Sequence, residues 1–382
     1  MSRQLLTNCK LFDGETVREG RAVLIDAGQI ADIVAADYSQ DGLDVLDLDG
    51  HLLAPGLIDL QVNGGGGVLF NDAPTVATLQ TIVTAHRRFG TTACLPTLIT
   101  DNRDIMQQGI QAVAAAQAGQ LSAVVGIHLE GPHLNPQYRG VHDAERMRPL
   151  DDAGLALLCS LESGRTLVTL APETVPSETL KRLCDAGVIV FGGHSAASYE
   201  ETLDALAAGL SGFTHLFNAM SPLTSRAPGM VGAALDDRNS WFGIIADGHH
   251  VHPATLRLAI RCKAVGKVCL VTDAMPTVGS EEKHFMLNGE TVTATGGRCV
   301  TVDGTLAGSD IGMIDAVRNI ARFGGVDRYE ALRMASAYPA AALGIDDTHG
   351  YLRQGYRADL IELDDEFTVV RSWVQGDMDT YA

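Results

Sequence analysis

Eight times along this chain an apolar, β-branched run is followed by a stretch of helical length, and no other feature restricts the fold as much. From Pro55 onward, LAPGLIDLQVNG precedes a helical stretch near 75–89, TTACLPTLIT one near 102–118, AVVGIHLEGP one near 150–163 and TLVTLAPE one near 177–187. VIVFGGHS leads into YEETLDALAAG, and GFTHLFNAM into an irregular Gly/Pro/Ser segment. FGIIADGHHV leads into PATLRLAIRCKAV, and VCLVTDAM closes the set, with helices near 310–323 and 328–343 after it. Eight β-then-α units are the number a closed parallel barrel needs, so the expected fold is α/β, a (β/α)8 TIM-type barrel over residues 54–347. Residues 1–53 and 348–382 read differently, as short alternating strands between turns (CKLFDGETV, RAVLIDAGQIADIVA, YRADLIELD, TVVRSWVQGD). Their shared character predicts that the two ends pair into one small β-sandwich domain beside the barrel.

Five short segments place a polar residue at or just after the end of a strand-like run: Glu130, His194, His215, His250 and Asp273. The C-terminal ends of barrel strands converge on one rim, which is where such folds keep their chemistry. A lone histidine in an apolar run is ordinarily a satisfied core or loop residue. Recurrence at the same end of successive strands is not explained that way. One carboxylate and two imidazoles supply three ligands for a metal ion, and a further carboxylate can serve as the base for a water molecule. The pattern points to a metal-dependent hydrolase.

Composition narrows the partners. Lysine and arginine number 28 against 47 aspartates and glutamates, a net charge of −19 that repels nucleic acid and anionic membrane surfaces. An anionic substrate would need local positive groups, which singles out Arg226 and the His249–His250 pair. No apolar run approaches a membrane span, and MSRQLLTNCK lacks the long apolar stretch of a signal peptide, so a cytoplasmic location is expected. Seven cysteines at irregular spacings form no CxxC pair and no disulfide framework, and read as reduced thiols.

APGLIDLQVNG, HLEGP, GHS, THLFNAM, IIADGHHV, LVTDAM and LAGSD together resemble the signature segments of the N-acetylglucosamine-6-phosphate deacetylases, within the amidohydrolase superfamily. The resemblance runs in order along essentially the whole chain. It implies a barrel with a small β domain and hydrolysis of N-acetyl-D-glucosamine 6-phosphate to glucosamine 6-phosphate and acetate. It makes Glu130, His194 and His215 the ligands of one divalent ion per chain, with zinc expected and iron, manganese or cobalt also compatible. Asp273 becomes the catalytic carboxylate, first base and then acid, and His250 a substrate contact cast as the partner of the developing oxyanion. Asn218 and Ala219 are expected to meet the substrate. Val141 and Leu306, Ala307 and Gly308 would line the sugar and acetyl pocket. A homodimer is expected, with Arg226 reaching the phosphate across the interface.

Most amidohydrolases carry an HxH pair at the end of the first barrel strand, where this chain has Gln61-Val62-Asn63. Amides are poor zinc ligands beside imidazole, so a single-ion site is expected. His142, in RGVHDAE, lies on a loop able to cover a sugar; His128 is expected to orient a ligand, and His249 and His252 to neighbour the site. The GGGG at 64–67 lacks a following Lys-Ser/Thr and reads as a rim turn. Two other readings stand beside this one: an amidohydrolase acting on another N-acyl or cyclic amide, and a silent barrel used as a scaffold.

Overall fold

A computed structural model describes residues 3–381, and in it the eight expected strands form one parallel sheet. They are Leu57–Val62, Thr91–Ile99, Gly126–Glu130, Arg165–Leu170, Ile189–Gly192, Gly212–Phe213, Trp241–Ile245 and Val268–Val271, each paired with the next in sequence. The first and last meet just past their ends, where Val62 bridges Ala274. There the amide of Asp273 donates to the Gln61 carbonyl (3.0 Å) and that of Asn63 to the Ala274 carbonyl (2.9 Å). Backbone polar groups of the first and last strands are thereby paired where the barrel closes.

Helices follow the strands as the periodicity predicts, with local chemistry marking their starts. Thr75 caps Val76–Arg87 by accepting from the Thr78 amide, and Ser198 with Glu201 forms a reciprocal capping box on Tyr199–Ala207. One correction concerns the segment after THLFNAM. It is not irregular throughout, because Gly229–Asp236 is an eight-residue helix. Its two glycines, at 229 and 232, lower its intrinsic helical propensity, and burial of Met230, Val231, Ala233 and Ala234 makes up for that.

A second finding lies between the last barrel strand and the Met313–Phe323 helix. Residues His284–Leu287, Glu290–Thr295, Arg298–Val300 and Leu306–Ser309 form a four-stranded antiparallel sheet. Its last strand returns to the rim: Ser309 bridges Ala274, and its amide donates to the Asp273 carbonyl (2.9 Å). The wall formed by Leu306, Ala307 and Gly308 is thus fastened beside Asp273.

Below the rim the barrel holds a polar layer. His128 bridges Thr97 Oγ1 (3.2 Å) and Thr169 Oγ1 (2.7 Å), and Thr169 meets Thr214 Oγ1 (2.5 Å). Burial lowers the His128 pKa to about 4, so the ring is neutral. His128 therefore ties two threonines on neighbouring strands together and makes no hydrogen bond to Glu130, contrary to the ligand-orienting role expected for it. Across the barrel Asp59 accepts from Thr272 Oγ1 (2.5 Å), and burial raises its carboxyl to about 7.

Both chain ends enter one eight-stranded mixed sheet. Its order is Asp377–Thr380, Val369–Val374, Leu360–Leu363, Leu52–Pro55, Gln4–Phe12, Val17–Asp26 and Gln29–Ala35, with Asp44–Asp47 also on Gln4–Phe12. Trp373 is fully buried there among Leu6, Leu11, Leu53 and Leu360, and its indole N–H donates to Gln4 Oε1 (3.0 Å). This one side chain joins the last strands of the chain to the first. Trp373→Ala is expected to destabilise the protein by about 3–5 kcal/mol, read as a fall in the urea midpoint, while kcat of the remaining folded protein stays close to wild type.

Candidate active site

Twelve of the thirteen residues expected to serve substrate, metal or proton transfer fall into two groups on the wall of one cavity of about 370 Å³. Glu130, His194, His215, His250 and Asp273 form its polar floor, and Val141, His142, Asn218, Ala219, Leu306, Ala307 and Gly308 its sides, so that only Arg226 of the expected set is missing. Arg226 is exposed on the loop before the Gly229–Asp236 helix and does not line this cavity.

Three side chains at the floor converge. Glu130 Oε1 lies 2.9 Å from His215 Nε2 and 3.2 Å from His194 Nε2, and the two imidazole nitrogens are 3.1 Å apart. His194 Nδ1 contacts the Tyr138 carbonyl at 2.9 Å, so its proton sits on Nδ1 and Nε2 presents a lone pair. A lone pair and a carboxylate oxygen pointed at one spot suit a cation, and these residues can hold a metal ion. Burial alone would push Glu130 up, yet its close contacts with the His194 and His215 rings hold its carboxyl well below the ordinary range.

Asp273 sits beside this cluster. Its Oδ1 accepts from Asn63 Nδ2 (2.7 Å) and Gln61 Nε2 (3.1 Å), and the same Gln61 amide donates to Glu130 Oε2 (3.1 Å). The two amides at the positions of the usual histidines therefore act as donors, Asn63 to the half-buried Asp273 and Gln61 to both Asp273 and the buried Glu130. Burial first, and then the charge of Glu130, raises Asp273 to about 6. The backbone is strained at these positions as well. His194, His215 and Asp273 all have positive φ, at 48°, 30° and 51°, where a non-glycine residue costs on the order of 1–3 kcal/mol. At Gly308 the chain passes so close that an added Cβ would lie 2.6 Å from the Asp273 carbonyl oxygen.

Two more imidazoles face the cavity, each fixed from behind. His142 is fully buried; its Nδ1 accepts from the Thr100 amide (3.3 Å) and lies 2.8 Å from Thr100 Oγ1. Burial, with the tilted His194 ring 4.3 Å away, pushes it down to about 3, which leaves a neutral ring with its proton on Nε2. His250 Nδ1 lies 2.6 Å from Asp247 Oδ2. Asp247 is the residue the sequence reading missed: within ADGHH an aspartate before glycine reads as turn chemistry alone. His249 bonds instead to the Gly296 carbonyl (2.9 Å), and His252 caps the Pro253–Cys262 helix. Gly64–Gly65 and Val68–Leu69 form a small hairpin, as the rim-turn reading expects. Asn218 gives its amide hydrogens to the carbonyls of His215 and Leu216, while the Ala219 amide has no partner among the described residues.

Comparison with known proteins agrees with this geometry. Residues 52–378 match the model of the amidohydrolase family, and residues 5–53 that of the NagA composite domain. The chain is 43% identical to the N-acetylgalactosamine-6-phosphate deacetylase of Shewanella sp. (strain ANA-3), over 90% of this chain and 87% of that one. It is 34% identical to the N-acetylglucosamine-6-phosphate deacetylase of Haemophilus influenzae, over 97% and 98%. The crystal structure of the N-acetylglucosamine-6-phosphate deacetylase from Pasteurella multocida superposes with a TM-score of 0.96 at 35% identity, over 99% of this chain and all of that one.

Gln61 and Asn63 spend their donors on Glu130 and Asp273, and among the described residues Glu130, His194 and His215 are the one grouped set of metal-ligand side chains. Protein purified without chelator is expected to carry about one divalent ion per chain by elemental analysis, and two ions per chain would contradict the reading.

Proposed function

The chain belongs to the amidohydrolase family, in its branch of N-acetylhexosamine-6-phosphate deacetylases, and from that premise we propose that it hydrolyses N-acetyl-D-glucosamine 6-phosphate to glucosamine 6-phosphate and acetate. The observation that carries this reading is the convergence of Glu130, His194 and His215 beside a half-buried carboxylate, Asp273, on one cavity wall. The same convergence argues against a silent scaffold.

The metal is assigned as one zinc ion, which suits two imidazoles and a carboxylate; iron, manganese or cobalt would be held by the same atoms. A divalent ion in this place supplies Lewis acidity and lowers the pKa of water from about 15.7 toward about 7. The remaining steps belong to the chain. Asp273 Oδ1 is occupied by Gln61 and Asn63, which leaves Oδ2 to take the proton of the attacking water and pass it to the departing amine nitrogen. His142, neutral with its proton on Nε2, is the donor suited to the acetamide oxygen as charge builds there; loss of one such donor typically costs about 100- to 1000-fold. His250 offers the cavity a second ring nitrogen. Ile99, Met275 and Leu306 provide the apolar side on which an acetyl methyl group can rest.

The phosphate needs a cation that this cavity lacks in a single chain, since Arg226 lies on an exposed loop outside it. A homodimer in which Arg226 of the partner subunit enters the site supplies one, with a bidentate guanidinium contact. Seven free cysteines support a reducing, cytoplasmic setting.

A second reading concerns the sugar. The relative named for the galacto epimer is 43% identical, against 34% for one named for the gluco epimer, which favours testing N-acetylgalactosamine 6-phosphate as an equal candidate. Acetate release measured on both epimers, with and without the 6-phosphate, and on an N-acyl amino acid decides among these. Release from neither phosphorylated sugar would sink the proposal.

Asp273→Asn is expected to lower kcat by at least about 100-fold with metal content unchanged. Arg226→Ala should raise KM for the phosphorylated sugar by about 10- to 100-fold. Mixing the two variants then reports on the interface. A chain with intact Asp273 borrows Arg226 from the Asp273→Asn partner, so activity at low substrate should exceed that of either parent; no gain despite verified subunit exchange would place Arg226 in its own site or in none.

A further inference from the structure

The loop after the Trp241–Ile245 strand turns sharply at Asp247. Its Oδ1 accepts from the amides of both His249 and His250, each at 2.8 Å, and Gly248 between them has a φ of +78°. That is ordinary turn chemistry, and it needs only one carboxylate oxygen. The other oxygen is not spare. Asp247 Oδ2 lies 2.6 Å from His250 Nδ1, with the Asp247 side chain fully buried and that of His250 only 5% exposed. Without the imidazole this oxygen would be a buried charge with no partner, an arrangement folded proteins avoid.

We propose that Asp247 is a positioning residue of the deacetylation site, which orients His250 and dictates which of its ring nitrogens carries the proton. A carboxylate accepts but does not donate, so the Nδ1 proton stays on the Asp247 side and Nε2 is the nitrogen that faces the cavity. Burial alone would raise Asp247, but the His250 hydrogen bond and the two backbone amides hold it below the ordinary carboxylate range. That nitrogen is left free to meet a polar group of the substrate. His142 has the opposite arrangement, with Nδ1 as acceptor and its donor at Nε2. The cavity is therefore met by two imidazoles held in opposite orientations.

This inference rests on the deacetylase reading for its kinetic arm and on the fold alone for its spectroscopic arm. In Asp247→Asn the side-chain oxygen keeps the backbone amides and the new NH2 group faces Nδ1, which should move the neutral ring's proton to Nε2. Nitrogen-15 histidine spectra of wild type and Asp247→Asn, with His250→Gln to assign the signal, read that exchange directly. On the kinetic side, Asp247→Asn should lose about 10- to 100-fold in kcat/KM. The double variant with His250→Gln should lie within about twofold of His250→Gln alone, because the two residues act as one unit. Asp247→Ala serves in the same cycle if the asparagine variant is unstable. Losses that multiply in the double variant, or a His250 tautomer unchanged in Asp247→Asn, would overturn the proposal. Wild-type protein that releases no acetate would defeat the deacetylase reading instead, and the spectra would still decide the role of Asp247.

Discussion

The site depends on the place where the barrel closes. Two backbone hydrogen bonds, Asp273 to Gln61 and Asn63 to Ala274, bring the end of the first strand against the end of the last. Residues 210 positions apart in sequence thereby become neighbours, and the side-chain amides of Gln61 and Asn63 fall within reach of the Asp273 carboxylate. Without that closure Asp273 would face a gap in the sheet and have no reason to stand beside Glu130. Asp59 and Thr272 reinforce the seam one layer below.

Electrostatics at the seam are finely divided. Glu130 is buried and Asp273 half-buried beside it, and like charges so close and so poorly solvated repel. The two imidazoles take up the first carboxylate, the amides share themselves across both, and the second carboxylate is left with a raised proton affinity. A histidine at position 61 would have offered a lone pair to a metal where the glutamine offers hydrogen to carboxylates. The choice of amide over imidazole thus changes the chemistry of the rim from ion binding to charge management.

Much of this was legible in the sequence, for physical reasons. Parallel strands buried on both faces read as continuous apolar runs, so the eight barrel strands announce themselves, and their polar terminal residues name Glu130, His194, His215, His250 and Asp273. The four strands between 284 and 309 do not, because they are three to six residues long and half exposed, and only Glu290–Thr295 alternates polar with apolar residues. Their signal lies in the turns, in Asn288-Gly289, Gly296-Gly297 and Asp303-Gly304. The Gly229–Asp236 helix hides behind its glycines. Asp247 hides for another reason: a turn accounts for one of its oxygens, and nothing in the string of letters says where the other points. His128 misleads the other way, since sitting two residues from Glu130 places it one layer deeper in the barrel, out of hydrogen-bonding reach of the ligands.

The inserted antiparallel sheet is fastened to the rim most firmly through its last strand, with single hydrogen bonds from Asn288 to Val141 and between Gly296 and His249 farther out. Its last strand is stitched to residues 273–275, and Gly308 runs tightly past the Asp273 carbonyl, so the inner wall and Asp273 are held together. The outer turns, around Gly289 and Gly304, meet nothing that an added side chain would strike. For an evolving lineage this separates two kinds of change. Lengthening or recolouring those outer turns can resculpt the mouth of the cavity, and with it the choice among related sugars, while the chemistry at the floor is left where it was.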